Sequence, residues 1–218
     1  MSIDRKQMTD LRIGAFNIRH VRRLDWILLI LVGALAAIGI LTLYSANRSA
    51  SVTPPYYTKQ MIFFFGGLLV ALVVACMDHR FLLSLAPLGF TALVGLLVAV
   101  SFVGETHKGA TRWLNLGFAE IQPSEQSKLA LIFMLAWFLS IIGRGIEKLP
   151  YFILTLLIAA IPSLLILRQP NLGTAATLGP IVFAMLWVAG CKRWHLLAVI
   201  LAGLVAAPLG WTQMTDYQ

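Results

Sequence analysis

The sequence predicts an all-α fold: a polytopic helical membrane protein with about seven transmembrane helices. Three observations carry that expectation. Hydrophobic residues fill 59% of the 218 positions and charged residues only 12%, with a mean hydropathy of +0.84, and a soluble core of this size cannot hide so much apolar surface. The apolar residues fall in runs of about 20, the length that crosses a hydrocarbon core as a helix. Lys and Arg are spread along the polar breaks, so the net charge of +8 reads as a topology signal. It does not read as a nucleic-acid surface, since no recognition module is present.

Residues 1–23 are basic, with Arg5, Lys6, Arg12, Arg19, Arg22 and Arg23. They read as a cytosolic tail that sets orientation; the alternative is a weak apolar face (Leu11, Ile13, Phe16, Ile18, Val21) lying on headgroups. Residues 24–218 are expected to form a single transmembrane domain. Its first run, 24–44, is about 30 Å long as a helix, too long for a signal-peptide core although Ser45-Ala46-Asn47 follows it. Further spans are expected near 61–77, 81–103, 123–142, 150–167, 172–190 and 196–212. With the amino terminus inside, about 11 of the 17 Lys and Arg fall on inner segments and about 5 on outer ones, Lys128 lying within a helix. That bias favours a cytosolic amino terminus. The inner connections (78–80, 143–149 and 191–195) leave no room for a soluble domain. Chemistry is therefore expected on the outer face or within the membrane.

The two cysteines, Cys76 and Cys191, end apolar runs beside charged residues and read as ordinary interface positions. His20, His79, His107 and His195 are scattered, so no metal site is expected. A Ser-His-Asp set, a Walker loop and paired catalytic carboxylates are all missing from the sequence.

Polarity instead gathers in one stretch, KGATRWLNLGFAEIQPSEQSKLA at 108–130. Gln122-Pro123-Ser124-Glu125 opens an apolar run, with proline where the first helical turn does not need its N–H and a carboxylate where the helix dipole favours it. That is a sound helix start, with Lys128 snorkelling outward. Glu125 and Lys128 also share a face, and ionisable groups inside a span usually face a cavity or a partner. Arg112-Trp113 reads either as an interfacial anchor or, with Lys108 and Gly109, as a loop folded over a cavity with cations ready for phosphate. A second outer turn, RQPNLGT at 168–174, offers Asn171 as a helix cap and backbone N–H groups to an anion. Lys59 and Gln60 open the second span and read by default as snorkelling residues.

In this order, Tyr44-Ser45-Ala46, Lys108-Gly109-Ala110-Thr111-Arg112-Trp113-Leu114, Gln122-Pro123-Ser124-Glu125 with Lys128, and Gln169-Pro170-Asn171-Leu172-Gly173-Thr174 resemble the SEDS family of bacterial cell-wall proteins, RodA and FtsW. The final Asp216-Tyr217-Gln218 is closer to the RodA branch. The resemblance covers essentially the whole chain and implies the amino-terminal portion of a ten-helix fold. It implies a peptidoglycan glycosyltransferase that polymerises lipid II in the cell-elongation machinery of the bacterial cytoplasmic (inner) membrane. The partners it implies are lipid II itself, a class B penicillin-binding protein and membrane proteins of the elongation complex. Lys59, Lys108, Arg112, Trp113, Gln122, Glu125, Lys128 and Asn171 are the substrate-binding and cavity residues expected on this match. Cations among them would meet the pyrophosphate, and glycosyl transfer needs the leaving group's charge stabilised and the attacking hydroxyl deprotonated. No cofactor is identified, and a divalent cation is left open.

Two departures from the family pattern stand out. Asn171 and Asn115 occupy positions where the family usually, or RodA often, has Asp. The family's main catalytic candidate, an aspartate of the large outer loop after the seventh span, lies beyond Gln218. The 218 residues alone are thus expected to be inactive: a fragment, a truncated reading frame or one half of a split protein. The competing functions are a transporter of the lipid-linked precursor and a non-catalytic membrane interaction remnant.

Overall fold

The computed structural model describes residues 24–46, 55–107, 110–115, 117, 120–169 and 171–211. The chain divides into two compact units, Met1–Phe81 and Leu82–Gln218. In the first, helix α1 (Trp26–Ala46) starts at Asp25, whose carboxylate accepts from the backbone N–H groups of Ile27 (3.0 Å) and Leu28 (3.2 Å), satisfying two donors of the first turn. Helix α2 (Tyr56–Ala75) follows Pro55. It begins earlier than the hydropathy alone suggests and takes Lys59 into its first turn. The rings of Tyr44 and Tyr57 meet edge to face at 5.4 Å, so the end of α1 lies beside the start of α2. Neither helix buries a residue. Apolar side chains all round a helix are stable when the surrounding solvent is lipid.

The expected run 81–103 is two helices, α3 (His79–Ser84) and α4 (Ala86–Val103). The cause is Pro87, in the first turn of α4. It has no N–H for the carbonyl four residues back, and its ring crowds that carbonyl, so the chain turns at Leu85. The break leaves an apolar groove lined by Leu82, Leu85, Ala86, Gly89, Phe90, Ala130 and Phe133.

The polar loop after α4 is not irregular. It forms an antiparallel meander of β1 (Glu105–His107), β2 (Ala110–Asn115) and β3 (Glu120–Ile121), with Thr106 opposite Thr111 and Leu114 opposite Ile121. Gly117 takes a φ of +83°, and its N–H donates to Asn115 Oδ1 at 2.7 Å; a short polar side chain and a glycine close the β2–β3 turn.

Helix α5 (Pro123–Ile142) leads through a 3₁₀ turn (Gly143–Glu147) to α6 (Leu149–Arg168), then α7 (Leu172–Val188) and α8 (Arg193–Trp211). Buried positions recur every four residues: Ser127, Leu131, Leu135 and Leu139 on α5, and Thr174, Leu178, Val182 and Leu186 on α7. These stripes interlock with Phe90, Leu93 and Leu97 of α4 and with Ala159 and Ile166 of α6 to form the core of the second unit, as ridge-into-groove packing requires. Pro162 and Pro180 lie inside α6 and α7, a usage that membrane helices tolerate.

Four described helical segments are long and apolar enough to cross a membrane, and three shorter ones are apolar. The chain is a multi-pass helical membrane protein.

Candidate functional site

The interlocking stripes of α5 and α7 are leucine-rich along most of their length and polar at one end. There α5 begins, α7 begins and α6 ends, and the sheet folds over them. Gln122, in extended conformation, holds the N-cap position of α5 without a side-chain cap bond, and Pro123 fills its first turn. The fully buried Ser124 accepts, through its hydroxyl oxygen, a hydrogen bond from Asn171 Nδ2 at 3.1 Å. Asn171 caps α7, its Oδ1 accepting from the Thr174 N–H at 3.4 Å. The hydroxyl of Ser127, also buried, donates to the Ser124 carbonyl. One turn of α5 is thus bonded to the first turn of α7 through buried neutral groups, each with a partner, as burial demands.

Beside this frame stands the charged pair. Lys128 Nζ donates to Glu125 Oε2 at 2.8 Å, and Thr174 Oγ1 donates to the other carboxylate oxygen at 3.1 Å. Thr174 is buried, whereas Glu125 keeps 47% of its side chain accessible and Lys128 33%. The carboxylate is oriented from two helices and still open on one side. Lys128 reaches back along α5 to end on Glu125, so a helix-start carboxylate and a snorkelling lysine become one ion pair at the mouth of the cluster.

Arg112, on β2, crosses to the α6–α7 turn, its Nε donating to the Gln169 carbonyl at 3.1 Å. Gln169 is buried at 3% exposure, and its Nε2 donates to the Leu97 carbonyl of α4 at 2.9 Å. One residue therefore ties the sheet, α4 and the turn that carries Asn171. Its Oε1 is buried without a hydrogen-bond partner among the described residues. Trp113, half-buried, is next on β2.

The structure therefore brings together Arg112, Trp113, Gln122, Glu125, Lys128 and Asn171 of the residues singled out in the sequence. Lys59 opens α2 in the first unit, and Lys108 lies outside the described residues. Thr174, Ser124 and Gln169 join the site although sequence reasoning did not select them. For Thr174 the four-residue spacing Thr174-Leu178-Val182-Leu186 was the available signal, because it puts that threonine on the buried stripe. Among the described residues no group of three or more His, Cys, Asp or Glu could hold a metal ion; one carboxylate, a lysine and neutral hydroxyls do not make a resident metal site.

The FTSW_RODA_SPOVE family model, described as cell cycle protein, matches residues 22–218. The chain belongs to the SEDS family. This SEDS chain is 34% identical over 185 residues to a probable peptidoglycan glycosyltransferase FtsW of Alteromonas naphthalenivorans, covering 82% of itself and 36% of that relative. The rod shape determining protein RodA of Thermus thermophilus has a similar structure, with a TM-score of 0.69 and 33% identity over 83% of this chain and 59% of that one. A chain of a peptidoglycan synthase complex that coordinates polymerization and crosslinking superposes with a TM-score of 0.72 at 34% identity, covering 89% and 56%. The SEDS chain thus spans less than two thirds of each of these proteins.

Proposed function

We propose that these residues belong to a peptidoglycan glycosyltransferase that polymerises lipid II. The observation that carries this reading is the open Glu125–Lys128 pair, oriented by Thr174 and roofed by a sheet that brings Arg112 and Trp113 to the same end of the bundle. In the transfer, an acceptor sugar hydroxyl attacks the anomeric carbon of the donor, the bond to the pyrophosphate oxygen breaks, and the proton of the hydroxyl passes to a base. Negative charge grows on the departing pyrophosphate, and fixed cations lower the barrier by meeting that charge as it develops. Lys128, Arg112 and Lys108 supply them here. Glu125 holds the Lys128 ammonium in place, Trp113 offers a ring face to a sugar, and Gln122 and Asn171 frame the mouth.

The domain reading accompanies this assignment: a basic cytosolic tail at 1–23 and a transmembrane domain from 24 onward, in the bacterial cytoplasmic membrane with the amino terminus inside. That orientation puts the sheet and Glu125 on the outer face, where glycan strands are made. A class B penicillin-binding protein is the proposed partner, and the match to a chain of a peptidoglycan synthase complex supports it. The RodA assignment rests on Asp216-Tyr217-Gln218, which lie outside the described residues.

The test is to purify the protein that contains these residues as it exists in its native membrane, since the 218 residues alone are expected to be inactive, reconstitute it with fluorescent lipid II and separate the products on a gel. A ladder of glycan strands is the expected result. Relocation of lipid II between leaflets without strands would replace this reading with transport. Retention of the penicillin-binding partner with neither activity would replace it with an interaction role.

A further inference from the structure

At the other end of the second unit, two short connectors carry the basic residues that set orientation. Arg144 lies in the 3₁₀ turn between α5 and α6 and Lys148 follows it, while Lys192 ends the α7–α8 connection and Arg193 opens α8. Both turns are sharp, made by Gly143 with φ +48° and Gly190 with φ +79°. The fold draws them together. Phe152, one turn into α6, stacks on His195 at 4.6 Å between ring centres and 22° between planes. The Phe152 N–H donates to the Lys148 carbonyl and the His195 N–H to the Lys192 carbonyl. Each ring therefore sits one helical turn beyond a lysine, and the stacking brings the starts of α6 and α8, with the basic connectors that precede them, together. Cys191 closes the contact, its Sγ 3.8 Å from His195 Nδ1.

The surface so formed has four exposed cations and one exposed carboxylate, Glu147. Among the described residues none of the four cationic side chains makes a hydrogen bond or ion pair. Aromatic rings flank them: Trp194 is 80% exposed, Trp187 66% and Tyr151 39%. Exposed Trp and Tyr beside Lys and Arg mark headgroup depth. The length of α6, 20 residues or about 30 Å, places this surface a membrane thickness from the Glu125 cluster. Positive-inside topology accounts for basic loops. It does not require cations of two separate loops to converge, unpaired, between interfacial aromatics.

We propose that this surface binds the headgroup of an anionic phospholipid, preferring a diphosphatidyl lipid whose two phosphates are met by Lys148 with Arg144 and by Lys192 with Arg193. Basic recesses between membrane helices at headgroup level have this chemistry. The inference does not depend on the glycosyltransferase reading.

The experiment is native mass spectrometry of the full-length protein released from nanodiscs containing phosphatidylcholine, phosphatidylglycerol and cardiolipin. Cardiolipin is expected to stay bound in preference to phosphatidylcholine. The preference should fall about fivefold for Lys148→Gln or Lys192→Gln and about thirtyfold for both, following the usual contribution of a cation at a membrane surface. K148R/K192R should restore it. Rising salt should weaken it in the unaltered protein, a readout that needs no variant to fold. Equal retention of the three lipids, or a preference unmoved by the double Gln variant or by salt, would overturn the proposal. So would capture of inorganic polyphosphate by a protein that shows no lipid preference.

Discussion

Glu125 is the residue at which charge, exposure and orientation meet. Its carboxylate is shared between Lys128 and Thr174, yet the ion pair is too open to hold the fold together, since exposed pairs contribute less than about 1 kcal/mol. Lys128→Met is therefore expected to leave detergent melting nearly unchanged while slowing lipid II polymerisation about a hundredfold, the usual effect of removing one donor to developing charge. Equal losses in both measurements would make the pair structural. Asn171 is the opposite case. It is buried, caps α7 and donates to buried Ser124, so Asn171→Ala should cost about 1–2 kcal/mol in denaturant unfolding. Asn171→Asp should cost less, because the Ser124 hydroxyl can turn and donate to the carboxylate.

The elements are tied by turns more than by propensity. Gly143 ends α5 at φ +48° and ψ −126°, a region that only glycine enters readily, and a Cβ there would meet nothing within 4 Å. Its substitution cost is thus conformational, and Gly143→Ala should destabilise by about 1–3 kcal/mol. Gly145, in the same turn, has no such backbone, and a Cβ would rest on the Tyr151 ring at 3.4 Å. Gly145→Ala should be nearly neutral in the same thermal assay, and a like loss at both positions would refute the backbone account. Helix continuity follows the same logic. The apolar run 81–103 looks unbroken to a hydropathy window, yet Pro87 divides it. The site loop was legible as polar and aromatic but not as a sheet. Strand pairing there depends on partners such as Leu114 and Ile121, and short strands carry no periodic signal long enough to read.

For the whole molecule, orientation is the prediction that joins both ends of the second unit. With Cys76 and Cys191 replaced by Ala, Asn115→Cys should react with a membrane-impermeant maleimide in intact spheroplasts, and Glu147→Cys only after permeabilisation. The reverse pattern would invert the chain and remove the outer face from the Glu125 cluster. The sequence by itself determined that the chain is a bundle of membrane helices, because hydropathy is a sum over residues and needs no partner. It also determined the family, because four short motifs keep their order. Only the tertiary structure decided which polar groups act together. Thr174 reaches Glu125 across 49 positions of chain, Asn171 reaches Ser124 across 47 and Gln169 reaches Leu97 across 72. No local pattern encodes those contacts. The first two arise because the four-residue buried stripes of α5 and α7 pack against each other, and the third because the turn before α7 is held against α4; each is a property of two elements at once.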